Sequence, residues 1–178
     1  HGYIECVRLL LAAGADVERG SDPERPPPHP AVTRDHAAPA RLLLAAFGAC
    51  AAARPAWQLW IAGEGAARAA LETQARSLAC ADRVHFLGWV EGEAKADALA
   101  RASIGALPSR RESFGGALLE MQARGLACIA SDAGALPELA AEGRAARVVP
   151  AGDTESLAAA LAALMDDAAA RRELAAAG

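Results

Sequence analysis

IGALPSRRESFGGALLEMQARGLACIAS, residues 104–131, is the stretch on which the fold turns. Its two ends, 104–107 and 127–131, are short apolar runs of strand length, and between them Leu118, Leu119 and Met121 lie at helical spacing. Strand, loop, helix and strand in that order make a βαβ unit, whose two strands run parallel. The alternation continues outward on both sides. Residues 57–62 and 84–87 are strand candidates upstream and 147–149 is one downstream. Leu71, Ala75 and Leu78 mark one further helical stripe, and Leu157, Leu161, Leu164 and Met165 mark another. Repeated βα alternation predicts an α/β domain with a Rossmann-like parallel sheet flanked by helices.

The N-terminal part is different in character. Residues 1–18, HGYIECVRLLLAAGADVE, place Ile4, Val7, Leu10 and Leu11 on one helical face ahead of Gly14, which predicts a short helical appendage. Leu9-Leu10-Leu11 followed by Gly14-Ala15-Asp16 resembles the closing half of an ankyrin repeat. Residues 19–39 are dense in proline and polar groups and are expected to form a linker. Pro39 suits the first turn of a helix with Leu42, Leu43, Ala46 and Phe47 along one stripe, so the α/β domain is expected to occupy 40–178.

Composition narrows the function classes. The chain is 53% hydrophobic and 22% charged, enough for a packed core. A net charge of −4 without a lysine or arginine run argues against a nucleic-acid partner, and the pair Arg110-Arg111 is too small a patch to change that. Neither a long apolar span nor a secretory signal pattern is present, so a cytoplasmic protein is expected. Cys6, Cys50, Cys80 and Cys128 show no C-x-x-C spacing, which speaks against both a zinc knuckle and a disulfide framework.

Ligands of parallel α/β sheets gather beyond the carboxyl ends of the strands. The loops there carry Gly63 and Gly65, then Gly88, then Gly115 and Gly116, then Gly134. Glycine lets a backbone approach a ligand closely, and a following helix N-terminus offers free amides to an anion, so a phosphorylated ligand is expected. Glu112 precedes the helix starting near Gly115 and Glu120 lies inside it, roughly 10 Å apart along a helical axis. That spacing suits a sugar nucleotide, with one carboxylate toward a hexose hydroxyl, the other toward a ribose diol and amides between them. Equally, Glu112 could serve only the helix dipole, and Glu120 could be a solvated helix residue.

ESFGGALLE followed by MQARGLACIASDAGALPEL closely resembles the signature of the family 4 retaining glycosyltransferases of the GT-B fold. WQLWIAGEG at 57–65, DRVHFLGWV at 82–90, the 107–109 segment and VPAGD at 149–153 follow the family's order, and the likeness runs over about 42–178. The resemblance implies the donor-binding, C-terminal half of such an enzyme, transferring a hexose from a UDP-, GDP- or ADP-hexose with retention of anomeric configuration. It implies a catalytic role for Glu112 at the donor sugar and a ribose contact from Glu120. It places the diphosphate on amides near Phe114, Gly115 and Gly116, the base beside the Gly88 to Val90 stretch, and Gly63, Gly65, Gly134 and Glu138 around the donor.

No D-x-D triplet occurs, in keeping with a fold that needs no bridging metal, and no cofactor is expected. The family's phosphate-clamping arginine and lysine-glycine pair have no good counterpart, Arg34 being a poor substitute. Its second glycine before the proline-glutamate is Ala135 here. The family's partner Rossmann domain, which binds the acceptor, is expected to be missing from a chain of 178 residues. His85 is expected to be a packed or edge residue rather than a catalytic one. The competing expectation is an interaction protein in which the ankyrin-like segment binds a protein partner and the transferase half is a remnant. A sugar-nucleotide epimerase is disfavoured by motif order, and a dinucleotide oxidoreductase by Arg68 at the third glycine of its fingerprint.

Overall fold

A computed structural model describes Arg8–Ala12 and residues 37–178. Five of the strands fall where alternation put them: β2 (Gln58–Ala62), β3 (Val84–Gly88), β4 (Ile104–Leu107), β5 (Ala127–Ser131) and β6 (Arg147–Val149). The sixth described strand, β1 (Arg8–Ala12), corrects the N-terminal expectation. These residues do not form a helix; they run parallel to both neighbours, with Leu10 opposite Trp60 of β2 and Gly105 of β4. A run such as RLLLA satisfies helix and buried-strand patterns equally, and the pairing on both edges decides for strand. The rest of the ankyrin-like segment, Arg34 and most of the proposed linker lie outside the described residues.

The order across the sheet is β3-β2-β1-β4-β5-β6, and every pairing is parallel. The chain therefore builds outward from β1 to one side, returns, and builds outward to the other side from β4. This reversal divides the helices between the two faces. The first face carries α1 (Ala38–Cys50), α2 (Arg68–Arg76) and α6 (Thr154–Asp166), packed on Leu59, Ile61, Ile104, Ala106, Ala127, Ile129 and Val149. The second carries α3 (Gly92–Arg101), α4 (Gly116–Ala123) and α5 (Leu136–Leu139), packed on Trp60, Ala62, Leu107, Cys128 and Ala130. Successive strand residues feed opposite cores, as the pleat requires. A last helix, α7 (Ala168–Ala177), follows α6 after Asp167.

Small residues bring α4 onto the sheet. A Cβ at Gly105 would stand 2.5 Å from the Met121 sulfur, so only glycine lets that buried side chain lie on β4. Buried Gln122 then donates to the Leu139 and Ala145 carbonyls and fastens α4 to the segment after it. Arg83 donates to the carbonyls of Ala51, Arg54 and Trp57, closing the C-terminus of α1, and Arg54 pairs with Asp166 of α6. His85 lies on β3, an edge strand paired only with β2 among the described strands. No helix of the described residues is long and apolar enough to cross a membrane.

Ile129 is fully buried on the central face of β5, so Ile129→Ala is expected to cost about 2–5 kcal/mol in urea denaturation. Leu119→Ala, on a side chain left 38% exposed, is expected to cost well under half of that in the same measurement.

Candidate functional site

Because all strands point the same way, the loops after β2, β3, β4, β5 and β6 open on one rim, and the chain reverses between β1 and β4. In such sheets the reversal point opens a crevice between loops that diverge to either side. Glu112, Phe114, Gly115 and Gly116 form the turn from β4 into α4. Gly115 is left-handed at φ +79° and immediately precedes the helix. A Cβ on it would come within 2.6 Å of Leu139 and 3.0 Å of Leu136, so α5 packs directly on this turn.

The Glu112 carboxylate bends back over the turn. Its Oε1 accepts from the backbone N–H of Phe114 at 3.3 Å and of Gly115 at 3.1 Å. Two amides just ahead of a helix thus converge on a single anionic oxygen, the arrangement that a helix N-terminus presents to a phosphate. Phe114 itself is 70% exposed, so its backbone rather than a buried ring serves the turn.

Neighbouring loops fix the backbone of Glu112. The Glu112 carbonyl accepts from Ala135 N–H at 3.4 Å, and a Cβ at Gly134 would lie 1.8 Å from that carbonyl oxygen. Gly134 also sits at φ +54°. The Ser131 hydroxyl donates to the buried Ser109 carbonyl, and Asp132 Oδ1 accepts from Ala151 N–H at 2.7 Å. These contacts stitch the β4, β5 and β6 loops into one unit. Asp153 ends it as the N-cap of α6, accepting from Ser156 Oγ and from the amides of Glu155 and Ser156. Its hydrogen bonds from Ser156, hydroxyl first and amide next, hold the Asp153 carboxyl below the usual carboxylate range.

Gly63, Gly65 and Val90 fall into a second group, on the β2 and β3 loops. Gly63 N–H donates to the Gly88 carbonyl at 2.8 Å, joining the β2 and β3 loops. Gly65 has nothing within 4 Å of where a Cβ would stand, and Val90 packs partly on the second core beside the 52% exposed Trp89. Glu138 is exposed on α5. Glu120, on α4, is joined to Lys95 of α3, Nζ to Oε1 at 2.6 Å. Sequence reasoning did not single out Lys95, although it is the one lysine in the chain. Arg110 belongs to a pair too small to form a basic patch, yet its guanidinium lies over Gly152 of the β6 loop, 3.4 Å from where a Cβ would stand. No group of three metal-ligating side chains occurs among the described residues.

Known proteins share this architecture. The family model described as glycosyl transferases group 1 matches residues 33–167. A phosphatidyl-myo-inositol mannosyltransferase of Mycolicibacterium smegmatis is 38% identical over 127 residues, covering 71% of this chain and 32% of that protein. The C-terminal domain of a group 1 glycosyl transferase (LpcC) from Francisella tularensis superposes with a TM-score of 0.75 at 20% identity, over 96% of this chain and 81% of that one. Anabaena HepE, in complex with UDP and glucose, superposes with a TM-score of 0.71 at 20% identity, over 96% of this chain and 41% of that one. The chain spans about a third of the length of the curated relative that it matches.

The contact at Gly134 yields a direct expectation. Gly134→Ala should destabilise the fold by about 1–3 kcal/mol in chemical denaturation, because the new methyl must push the Glu112 backbone aside. Gly65→Ala, in open space, should stay within about 0.5 kcal/mol of the unaltered chain.

Proposed function

The chain belongs to the group 1 glycosyl transferases, and from that premise we propose that its loop rim binds a nucleotide-sugar donor whose hexose is transferred to an acceptor with retention of anomeric configuration. The observation that carries this reading is the convergence of the Phe114 and Gly115 amides on one anionic oxygen at the start of α4. In the unliganded geometry that oxygen belongs to Glu112. A diphosphate oxygen offers the same amides a more highly charged acceptor, and the released Glu112 carboxylate can then turn to the hexose hydroxyls. The amide of Gly116, next in the chain, extends the cradle at the helix N-terminus.

In this account catalysis is electrostatic. As the bond between hexose and diphosphate lengthens, negative charge builds on the leaving oxygen, and the helix amides and dipole stabilise it without a protein nucleophile. Glu112 contacts the donor sugar, Glu120 reaches the ribose, and the Val90 stretch borders the base. Gly63, Gly65 and Glu138 complete the donor surroundings. Gly134 serves by leaving room for Glu112 rather than by touching the ligand. A nucleotide-sugar donor, a UDP-, GDP- or ADP-hexose, is in keeping with HepE, whose structure holds UDP and glucose. Acceptor recognition is assigned to a second Rossmann-like domain of the GT-B kind, and the donor domain to residues 40–178 together with β1.

Calorimetric titration of the chain with UDP, GDP and ADP tests this reading. Saturable binding of one of them is expected, weakened about tenfold or more by Glu120→Ala, since hydrogen bonds to a charged acceptor are lost. Absence of binding by all three would refute a working donor site.

A further inference from the structure

Of the 18 basic residues in the chain, 17 are arginine, and the remaining one is Lys95. It lies on α3, the helix that follows the Val90 loop, and its ammonium reaches across to Glu120 on α4. The pair therefore links the helix after the β3 loop to the helix that carries the candidate phosphate turn. Both side chains are about 40% exposed, 39% for Lys95 and 40% for Glu120, so the pair is open to a ligand and contributes little to stability. Arg68, the cation of the neighbouring β2–α2 connection, is already engaged by Glu64 and Glu72.

We propose that Lys95 is a positioning residue for the nucleotide: it holds one oxygen of the Glu120 carboxylate and leaves the other turned toward the ribose diol. The proposal rests on the donor-site reading above. A free carboxylate on a flexible glutamate can rotate to offer either oxygen, or point into water. With Oε1 held at 2.6 Å by an ammonium, the carboxylate keeps one orientation, so Oε2 presents a fixed acceptor. The lysine is better suited than arginine here. An ammonium is a compact point charge that engages one oxygen, whereas a planar guanidinium takes both oxygens of a carboxylate in a fork and would compete with the ribose at each. The consequence is selectivity: Lys95 contributes to binding only through the hydroxyls that Glu120 recognises.

The test measures binding of UDP, GDP and ADP and of their 2′-deoxy counterparts to the full 178-residue chain, its Lys95→Met and Lys95→Arg variants, with circular dichroism to verify folding. The unaltered chain is expected to prefer the ribonucleotide that it binds by about tenfold. Lys95→Met should lower that ribonucleotide's affinity about fivefold and leave the deoxynucleotide nearly unaffected, so that most of the preference disappears. Lys95→Arg should restore no more than part of it.

A folded Lys95→Met variant that retains the full preference overturns the proposal and leaves the donor site standing. So does tighter binding by that variant, which would make Lys95 a competitor of the ribose. Wild-type binding without any ribose preference also overturns it. If the unaltered chain binds no nucleotide, the donor-site reading fails first and the proposal falls with it.

Discussion

The carbonyl oxygen of Glu112 leaves no room for a side chain at residue 134. A Cβ there would sit 1.8 Å away, well inside any permitted contact, and Gly134 accordingly adopts a left-handed backbone. The loops after β4 and β5 can close on each other only because of this glycine. That closure holds Glu112 at the start of α4, brings Ala135 N–H onto its carbonyl, and aims its carboxylate back over the Phe114 and Gly115 amides. The Ser131 to Ser109 bond adds a second tie between the same two loops, and the Asp132 to Ala151 bond extends the lattice to the β6 loop. The rim is thus a set of loops pinned by backbone contacts, with an acidic side chain in the turn between sheet and helix.

Much of this was legible in the chain itself. The strands at Ile104–Leu107, Ala127–Ser131 and Arg147–Val149 coincide with the apolar runs read from sequence, because a parallel strand covered on both faces is apolar at nearly every position. Gly115 and Gly134 could be singled out because their neighbours are turn formers just past strands. The N-terminal strand was not legible. Leucine favours helix, the spacing of Ile4, Val7, Leu10 and Leu11 fits a helical face, and Gly14 imitates a helix stop. Only the slot between β2 and β4, open on both sides to parallel pairing, makes Arg8–Ala12 a strand, and that requirement comes from the whole sheet.

The electrostatic details were hidden for a similar reason. Lys95 and Glu120 sit on different helices, and nothing in the spacing of either helix relates them. The dipole reading of Glu112, weighed from its place ahead of α4, matches the observed hydrogen bonds to helix-start amides. The amides that donate to Glu112 Oε1 are the ones on which the proposed donor reading rests. Where the family's cationic clamp has no good counterpart in sequence, the described rim offers the amides of the α4 turn and the guanidinium of Arg110 lying over Gly152.

The central claim is that anionic ligand oxygens settle on the α4 turn, and backbone-amide NMR during a nucleoside diphosphate titration tests it most directly. The account predicts that the resonances of Phe114, Gly115 and Gly116 shift most, while Arg54 and Asp166 at the far end of the sheet stay in place. Saturable binding that moves the far end and leaves those three amides unchanged would contradict it.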